Sequence, residues 1–514
     1  MIDEILPYRN SRMDEARRKL RNRIRKFDPS QVIWQSIRRL SRLDLNDKSG
    51  YPRNLVLFLI EMTFRDWLEW PARGNDLTEK GLNGLLNQVS ALESHARMPS
   101  DYANLPRFFK TLSYQQFYLQ DELHINRIAR PLVLYDLVNA EGYLAKRFME
   151  MASLPVTRFQ EFAAIYTLLT WDSTGHPPSA TADQLARSLK CDFAEMERFL
   201  GLISLRFDEV GRFLTEHSRV YRSGDYDFRK ETTLTLRPVV REDNVYIPYS
   251  RSLLTHALEH FVYDTLRDDS AQNFMNEFAV LFEKYVGLGL RQTGLNVIAE
   301  DELRRFLPSD SKVVDYMVIE DSGTVLIEAK GVQMHALARV SENADVIGDK
   351  LSDSLIKAIL QGNEVATNLN ANPPKELSAA KDAPWFLLVI TYKPMFVGNG
   401  HGLAGVLDET LMADLNAKLG KQPRMPLKHV YFLSVDEYDY LLGVLQAGAS
   451  LVQMLKDVVA KDSDPATATW AFCQHLTSRQ APRHLVSRYE ELCAAVSVGL
   501  QSRGSRPQVR AGVL

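Results

Sequence analysis

Cysteine is scarce in this chain: Cys191, Cys473 and Cys493 are the only three in 514 residues, far apart and without metal-ligand spacing. That pattern excludes a disulfide-stapled scaffold and a cysteine-rich zinc site, and it points to a reducing cytoplasm with free, mostly buried thiols. Long apolar runs are missing as well. Leu55 to Met62 is apolar but far shorter than the ~20 residues that cross a bilayer. The start, Met1-Ile-Asp-Glu-Ile-Leu-Pro, lacks a basic segment followed by an apolar one, so no secretory signal and no membrane partner are expected. Excess charge is also absent: 62 Lys and Arg face 65 Asp and Glu, a net charge of −3. Global charge therefore does not advertise a polyanionic partner, and any phosphate-binding surface must be a local patch. What remains is ample material for cores, 45% hydrophobic, in a length that suggests about three domains.

The most informative stretch is Ser311 to Gly331. Val313 to Ile319 and Val325 to Ile327 are rich in β-branched residues, and Asp321-Ser322-Gly323 between them is turn chemistry, so a β-hairpin is predicted. With a two-residue loop at Asp321 and Ser322, Glu320 pairs with Gly323 and Asp315 falls opposite Glu328. A three-residue loop with Gly323 bulged would shift that register by one. Cross-strand neighbours lie ~5 Å apart at Cβ, close enough for two carboxylates to share one cation. Alternation along the strand sends Lys330 to the same face as Glu328. Two like charges held this close repel unless a cation neutralises them, and a hard divalent ion with oxygen ligands, Mg²⁺ with Mn²⁺ as substitute, meets that demand.

An Asp, a dozen residues, then Glu-x-Lys on consecutive strands resembles the PD-(D/E)XK, or restriction-endonuclease-like, nuclease superfamily, and the likeness covers about the middle third of the chain. The resemblance implies that Asp315 and Glu328 bind metal and that Lys330 is the catalytic lysine. It further implies a glutamate from the preceding helix, for which Glu283 in Phe274 to Val286 is the better match than Glu277. The residue before Asp315 is Val314 rather than proline, and Asp310 in Pro308-Ser-Asp310 is a nearby decoy. Polar residues on the following helix often face such a site, which nominates Lys357 and Gln361 for substrate contact. The expected activity is Mg²⁺-dependent endonucleolytic cleavage, of DNA before RNA, in bacterial restriction or antiphage defence. A homodimer, and a regulatory partner or phage-derived trigger, go with that expectation. The alternatives are a catalytically inactive nuclease fold serving as a DNA-binding or assembly module, and an RNA-cleaving nuclease.

Around this segment the expected fold is mixed α and α/β: a helical N-terminal region, a restriction-endonuclease-like αβββαβ core and a helical C-terminal segment. The divisions are 1–150, 151–270, 271–445 and 446–514. Residues 9–27 form a basic helix whose Met13, Ala16, Leu20, Ile24 and Phe27 share one face. Its positive face suits either a phosphate backbone or plain solvation. The aromatic stretches 64–70 and 108–118 suit a helical core. Thr181 to Leu200 resembles a helix-turn-helix with Thr181 as N-cap, although Glu195 and Glu197 make the second helix a poor reader of DNA. A hairpin is predicted over Thr233 to Pro248, a helix over Leu253 to Leu266 and another over Ser341 to Ala366. Buried strands are predicted at Trp385 to Thr391 and His429 to Ser434, separated by a helix over Leu407 to Leu419. The glycine-rich 398–405 is read as a flexible loop carrying His401, and 502–510 as a basic disordered tail.

Overall fold

The computed structural model describes residues 11–44, 51–67, 74–93, 95, 105–120, 123–173, 177–217, 230–373 and 383–501. Its architecture is mixed helix and sheet: many helices around two small mixed sheets. Among the described residues no helix is long and apolar enough to cross a membrane. The expected tail at 502–510, together with Arg9 and residues 68–70 of the first aromatic stretch, lies outside the described residues.

The first helix, Ser11–Ile24, buries Met13, Leu20 and Ile24 against the helices Pro29–Leu43, Arg53–Asp66 and Glu79–Glu93. The apolar stripe thus packs as its spacing requires, and the arginines occupy the outer positions.

Four short strands form the first sheet: β1 (Ala180–Thr181), β2 (Ser204–Arg206), β3 (Val239–Glu242) and β4 (Val245–Pro248), in the order β1-β4-β3-β2. The candidate helix-turn-helix is present as Ala182–Leu189 and Phe193–Ile203. Thr181 caps the first helix as expected, its hydroxyl accepting from the Gln184 N–H while the Gln184 amide oxygen accepts from the Thr181 N–H. Lys190, at φ 50°, ends that helix in the left-handed region, and Asp192 caps the next. The second helix exposes Phe193, Glu197 and Arg198, a surface with no basic excess. One expectation needs correction here: the hairpin spans only Val239–Pro248, and Thr233–Leu236 is a 3-10 turn. Its cause is local, since the Thr232 hydroxyl accepts from the Leu234 N–H and offers the backbone a cap instead of a ladder.

The second sheet has the order β5-β6-β7-β8-β9, with β5 Asn296–Ala299, β6 Tyr316–Glu320, β7 Gly323–Lys330, β8 Trp385–Thr391 and β9 Val430–Ser434. β5 pairs antiparallel with β6 and β6 with β7, while β7 pairs parallel with β8 and β8 with β9. Parallel strands need crossovers, which the helical segments 336–371 and 400–419 supply. Both faces are covered. Val318, Val325, Ile327, Leu388 and Leu433 point into one core with the helices Ala271–Arg291 and Val435–Gln446. Met317, Leu326, Leu387, Val389 and Phe432 point into the other with Ile347, Leu355 and Ile359. Alternate residues of each strand therefore serve opposite cores, which explains the near-continuous apolar runs in β8 and β9. The first of these cores runs from Leu134 to Phe472 and so passes through residues 150, 270 and 445.

Other departures from expectation are local. The helix predicted over Ser341 to Ala366 begins at Ala344, capped by Asn343, bulges as a π-turn at Ser352–Ile356 and continues as Lys357–Ala371. The glycine-rich segment is not a loop throughout: Gly400–Val406 is helical, because the Asn399 side chain accepts from the His401 and Gly402 N–H groups. His401 sits exposed in its first turn. None of the three cysteines forms a disulfide, and each is only partly buried.

Candidate metal centre

The hairpin register decides where the acids fall. Glu320 pairs with Gly323 and Tyr316 with Ile327, the register of a two-residue turn. One step beyond Tyr316, Asp315 stands at the mouth of the pair, opposite Glu328. Its Oδ2 accepts a hydrogen bond from the Ala329 N–H at 2.6 Å, which ties the acid to the neighbouring strand. Glu328 is 3% exposed. The Lys330 ammonium, two residues along on the same face, donates to Glu328 Oε1. From the Lys357–Ala371 helix, the Gln361 amide donates to both Glu328 oxygens at 3.2 Å and to the Val313 carbonyl. Gln361 thus holds Glu328 in place. Lys357, one turn earlier, is exposed and stands apart from these bonds. Asp310 is exposed in the preceding loop.

Glu283 comes from the Ala271–Arg291 helix, and its position depends on Tyr316. The Tyr316 hydroxyl donates to the Glu283 carbonyl at 3.0 Å. That crossing needs Gly287, where a Cβ would lie 2.2 Å from the Tyr316 hydroxyl oxygen. A fourth acid joins them. Glu300 opens the short helix Glu300–Leu303 directly after β5, and ligand oxygens of Glu283, Glu300 and Asp315 all lie within 4.8 Å of one another. Glu300 was not singled out from the sequence. Its signal is faint: a four-residue strand, Asn-Val-Ile-Ala, followed at once by Glu-Asp-Glu.

The electrostatics follow from this crowding. Burial, then Glu328, then Glu283 push the Asp315 carboxyl up to about 8, against the Ala329 N–H and the Lys330 charge. Burial also raises Glu328, helped by Glu300 and opposed by Lys330. Glu283 is raised by burial and by Glu300, Glu328 and Asp301. Arg304 pairs with Glu300 at 3.0 Å, but among the described residues no ion pair reaches Glu283 or Asp315. The group is therefore short of positive charge, and the deficit sits on the two acids that have no ion pair.

A second cluster contrasts with it. His256, Glu259 and His260 also bring ligand atoms within 4.8 Å of one another, in a His-x-x-Glu-His string on the Arg251–Asp269 helix. Here the charge is already satisfied: Arg127 donates to Glu259 Oε2 at 2.8 Å and Arg130 to Oε1, while His256 bonds Glu231. A cation entering would have to displace guanidinium groups, and burial together with Lys393, His256, Arg127 and Arg130 holds His260 well below its ordinary range. This cluster reads as a buried ion network. Compared with family models, with curated proteins and with solved structures, the chain matches none.

Proposed function

We propose that the chain is a metal-dependent phosphodiesterase that cleaves DNA endonucleolytically. The observation that carries the reading is the approach of Glu283, Glu300 and Asp315 to within 4.8 Å, beside a Glu328 that is held by Lys330 and Gln361. The donor set is all oxygen and partly buried, and only Glu300 among its three acids has an ion-pair partner among the described residues, which fits a hard divalent cation such as Mg²⁺ or Mn²⁺. Glu283, Glu300 and Asp315 would hold the ion, with Glu328 on the strand beside Asp315. Bound there, it supplies a Lewis acid for a phosphoryl oxygen and lowers the pKa of a water. Lys330 places an ammonium beside the same acids, where it orients the attacking water and offsets charge growing on the phosphate. Gln361 keeps the Glu328 carboxylate from turning away.

The order of elements supports the resemblance to the PD-(D/E)XK superfamily: helix Ala271–Arg291, antiparallel β5 to β7, helix Lys357–Ala371, then parallel β8. DNA as substrate and a role in bacterial restriction or antiphage defence rest on that resemblance alone. The test is incubation of the purified chain with plasmid, linear duplex, single-stranded DNA and RNA, each with Mg²⁺ or Mn²⁺. Cleavage of a DNA substrate is expected, reduced on the order of 100-fold or more in Asp315→Ala and in Lys330→Ala. Cleavage undiminished in both variants, or none by the wild type under any of these conditions, overturns the proposal.

A further inference from the structure

A cavity of about 280 Å³ lies outside the carboxyl ends of β8 and β9, away from the four acids. Its floor is the segment after β8, including Tyr392 and Phe396, and the start of the Val435–Gln446 helix. Its roof is the N-terminal helix Leu105–Gln120, so it forms only where these distant parts of the chain meet. The carboxyl ends of parallel strands are where open α/β sheets commonly take ligands.

Three observations describe what it would take. The walls are aromatic: Tyr114, Phe117, Phe396, Tyr440 and Trp470 all line it. Phe396 is held at φ 50°, a left-handed conformation that strains a bulky residue. Edge contacts with Tyr114 at 4.8 Å and Phe117 at 5.6 Å fix its ring. Backbone strain of this kind persists where the surroundings over-determine it, and it places a ring on the cavity wall.

The charges are the third observation. Arg127, Arg130, Arg339 and Lys393 line the cavity but each is paired with a carboxylate: Glu259, Asp439, Glu231 and Asp264 respectively. Arg479 differs. It is exposed, its guanidinium lies over the Tyr440 ring at 5.9 Å, and among the described residues no carboxylate pairs with it. His124 meets the same ring edge-on at 5.9 Å. The volume lies just below the range of typical ligand pockets, about 300–1,000 Å³, which fits a small molecule.

We propose that this cavity binds one small planar aromatic molecule carrying a single anionic group, of mononucleotide size, its ring among Phe117, Phe396 and Tyr440 and its anion toward Arg479. Stacking on aromatic faces accepts any flat heterocycle, and a guanidinium at one end selects for phosphate or carboxylate. Two sources share that chemistry, a nucleoside monophosphate and an aromatic carboxylate.

Calorimetric titration of the full chain without divalent ions distinguishes them. The ligands are the four ribonucleoside 5′-monophosphates, the parent nucleosides, indole-3-acetate and inorganic phosphate. At least one anionic aromatic is expected to bind with Kd below about 1 mM, and its uncharged or ring-free counterpart about tenfold more weakly. Arg479→Gln, at an exposed position that the fold does not need, is expected to lose about tenfold toward the anionic ligand and nothing toward a nucleoside. Asp315→Ala is expected to bind as the wild type does. Binding by a monophosphate or by indole-3-acetate alone assigns the source. No binding of any anionic aromatic, binding unchanged in Arg479→Gln, or binding lost in Asp315→Ala overturns the proposal.

Discussion

Asp315 is the residue on which the candidate centre turns, because it is half-enclosed, hydrogen-bonded to the Ala329 N–H and still pushed up to about 8. Its behaviour with pH follows by linkage. In the unfolded chain an aspartate titrates near 3.9. Between that value and about 8 the folded, metal-free protein binds a proton that the unfolded chain has released, so stability falls as pH rises through this window. Glu283 and Glu328 are raised as well and act in the same direction. Denaturant titrations without divalent ions are therefore expected to give a less stable protein at pH 9 than at pH 6, with a smaller difference in Asp315→Asn. Mg²⁺ should reverse the trend, stabilising the wild type more at pH 9 than at pH 6, since it competes with the protons. A metal-free stability independent of pH over this range would argue against such crowding of charge around Asp315.

At the scale of elements, the centre depends on how the Ala271–Arg291 helix lies against β6. Gly287 leaves the space through which the Tyr316 hydroxyl reaches the Glu283 carbonyl. Gly287→Ala puts a methyl into that space, so either the helix or the ring must move. The expected cost is ~1–3 kcal/mol, with weaker Mg²⁺ binding because Glu283 shifts with its turn. Denaturant midpoints and a metal titration read the two effects separately, and a variant unchanged in both would contradict this account. The dependence also marks what a sequence can carry. The hairpin register was legible because Asp321-Ser322 is a turn by local chemistry and the flanking β-branched runs allow few alternatives. Asp315 beside Glu328 followed from it; the strands Trp385–Thr391 and Val430–Ser434 were legible separately as buried apolar runs, except that His429 closes a 3-10 turn instead of opening the second. Glu300 was not legible, since β5 is only four residues long and is fixed by pairing with β6 some 20 residues later. The π-turn at Ser352–Ile356 leaves the apolar spacing of its helix nearly unchanged and is equally silent. Gln361 was visible as a polar position on the helix, but its bonds to Glu328 arise only from the crossover that lays this helix on the sheet.

Across the whole molecule, one buried arginine joins parts of the chain that sequence composition separates. Arg130, on the helix Ile125–Asp136, donates to Glu259 of the Arg251–Asp269 helix and to Asp436 and Asp439 of the Val435–Gln446 helix. Asp439 also accepts from the Tyr285 hydroxyl at 2.8 Å, which adds the helix that carries Glu283. Burial raises the Asp439 carboxyl to about 6 even with the guanidinium beside it. A buried network of this kind gives little net stability over an apolar packing, yet losing one partner strands the others. Arg130→Met keeps an unbranched side chain and removes the charge, leaving the fully buried Asp439 without its guanidinium while Glu259 keeps Arg127. The expected loss is ~3–5 kcal/mol at pH 8. It should shrink toward pH 5, where the stranded acids take up protons that the unfolded chain holds less tightly. Because the network links the N-terminal helices to the sheet, the variant is also expected to open in stages. Limited proteolysis would then cut in the N-terminal region before the sheet is lost, whereas the wild type unfolds as one unit. A single transition within about 1 kcal/mol of the wild type at both pH values would mean that apolar packing couples these regions without help from Arg130.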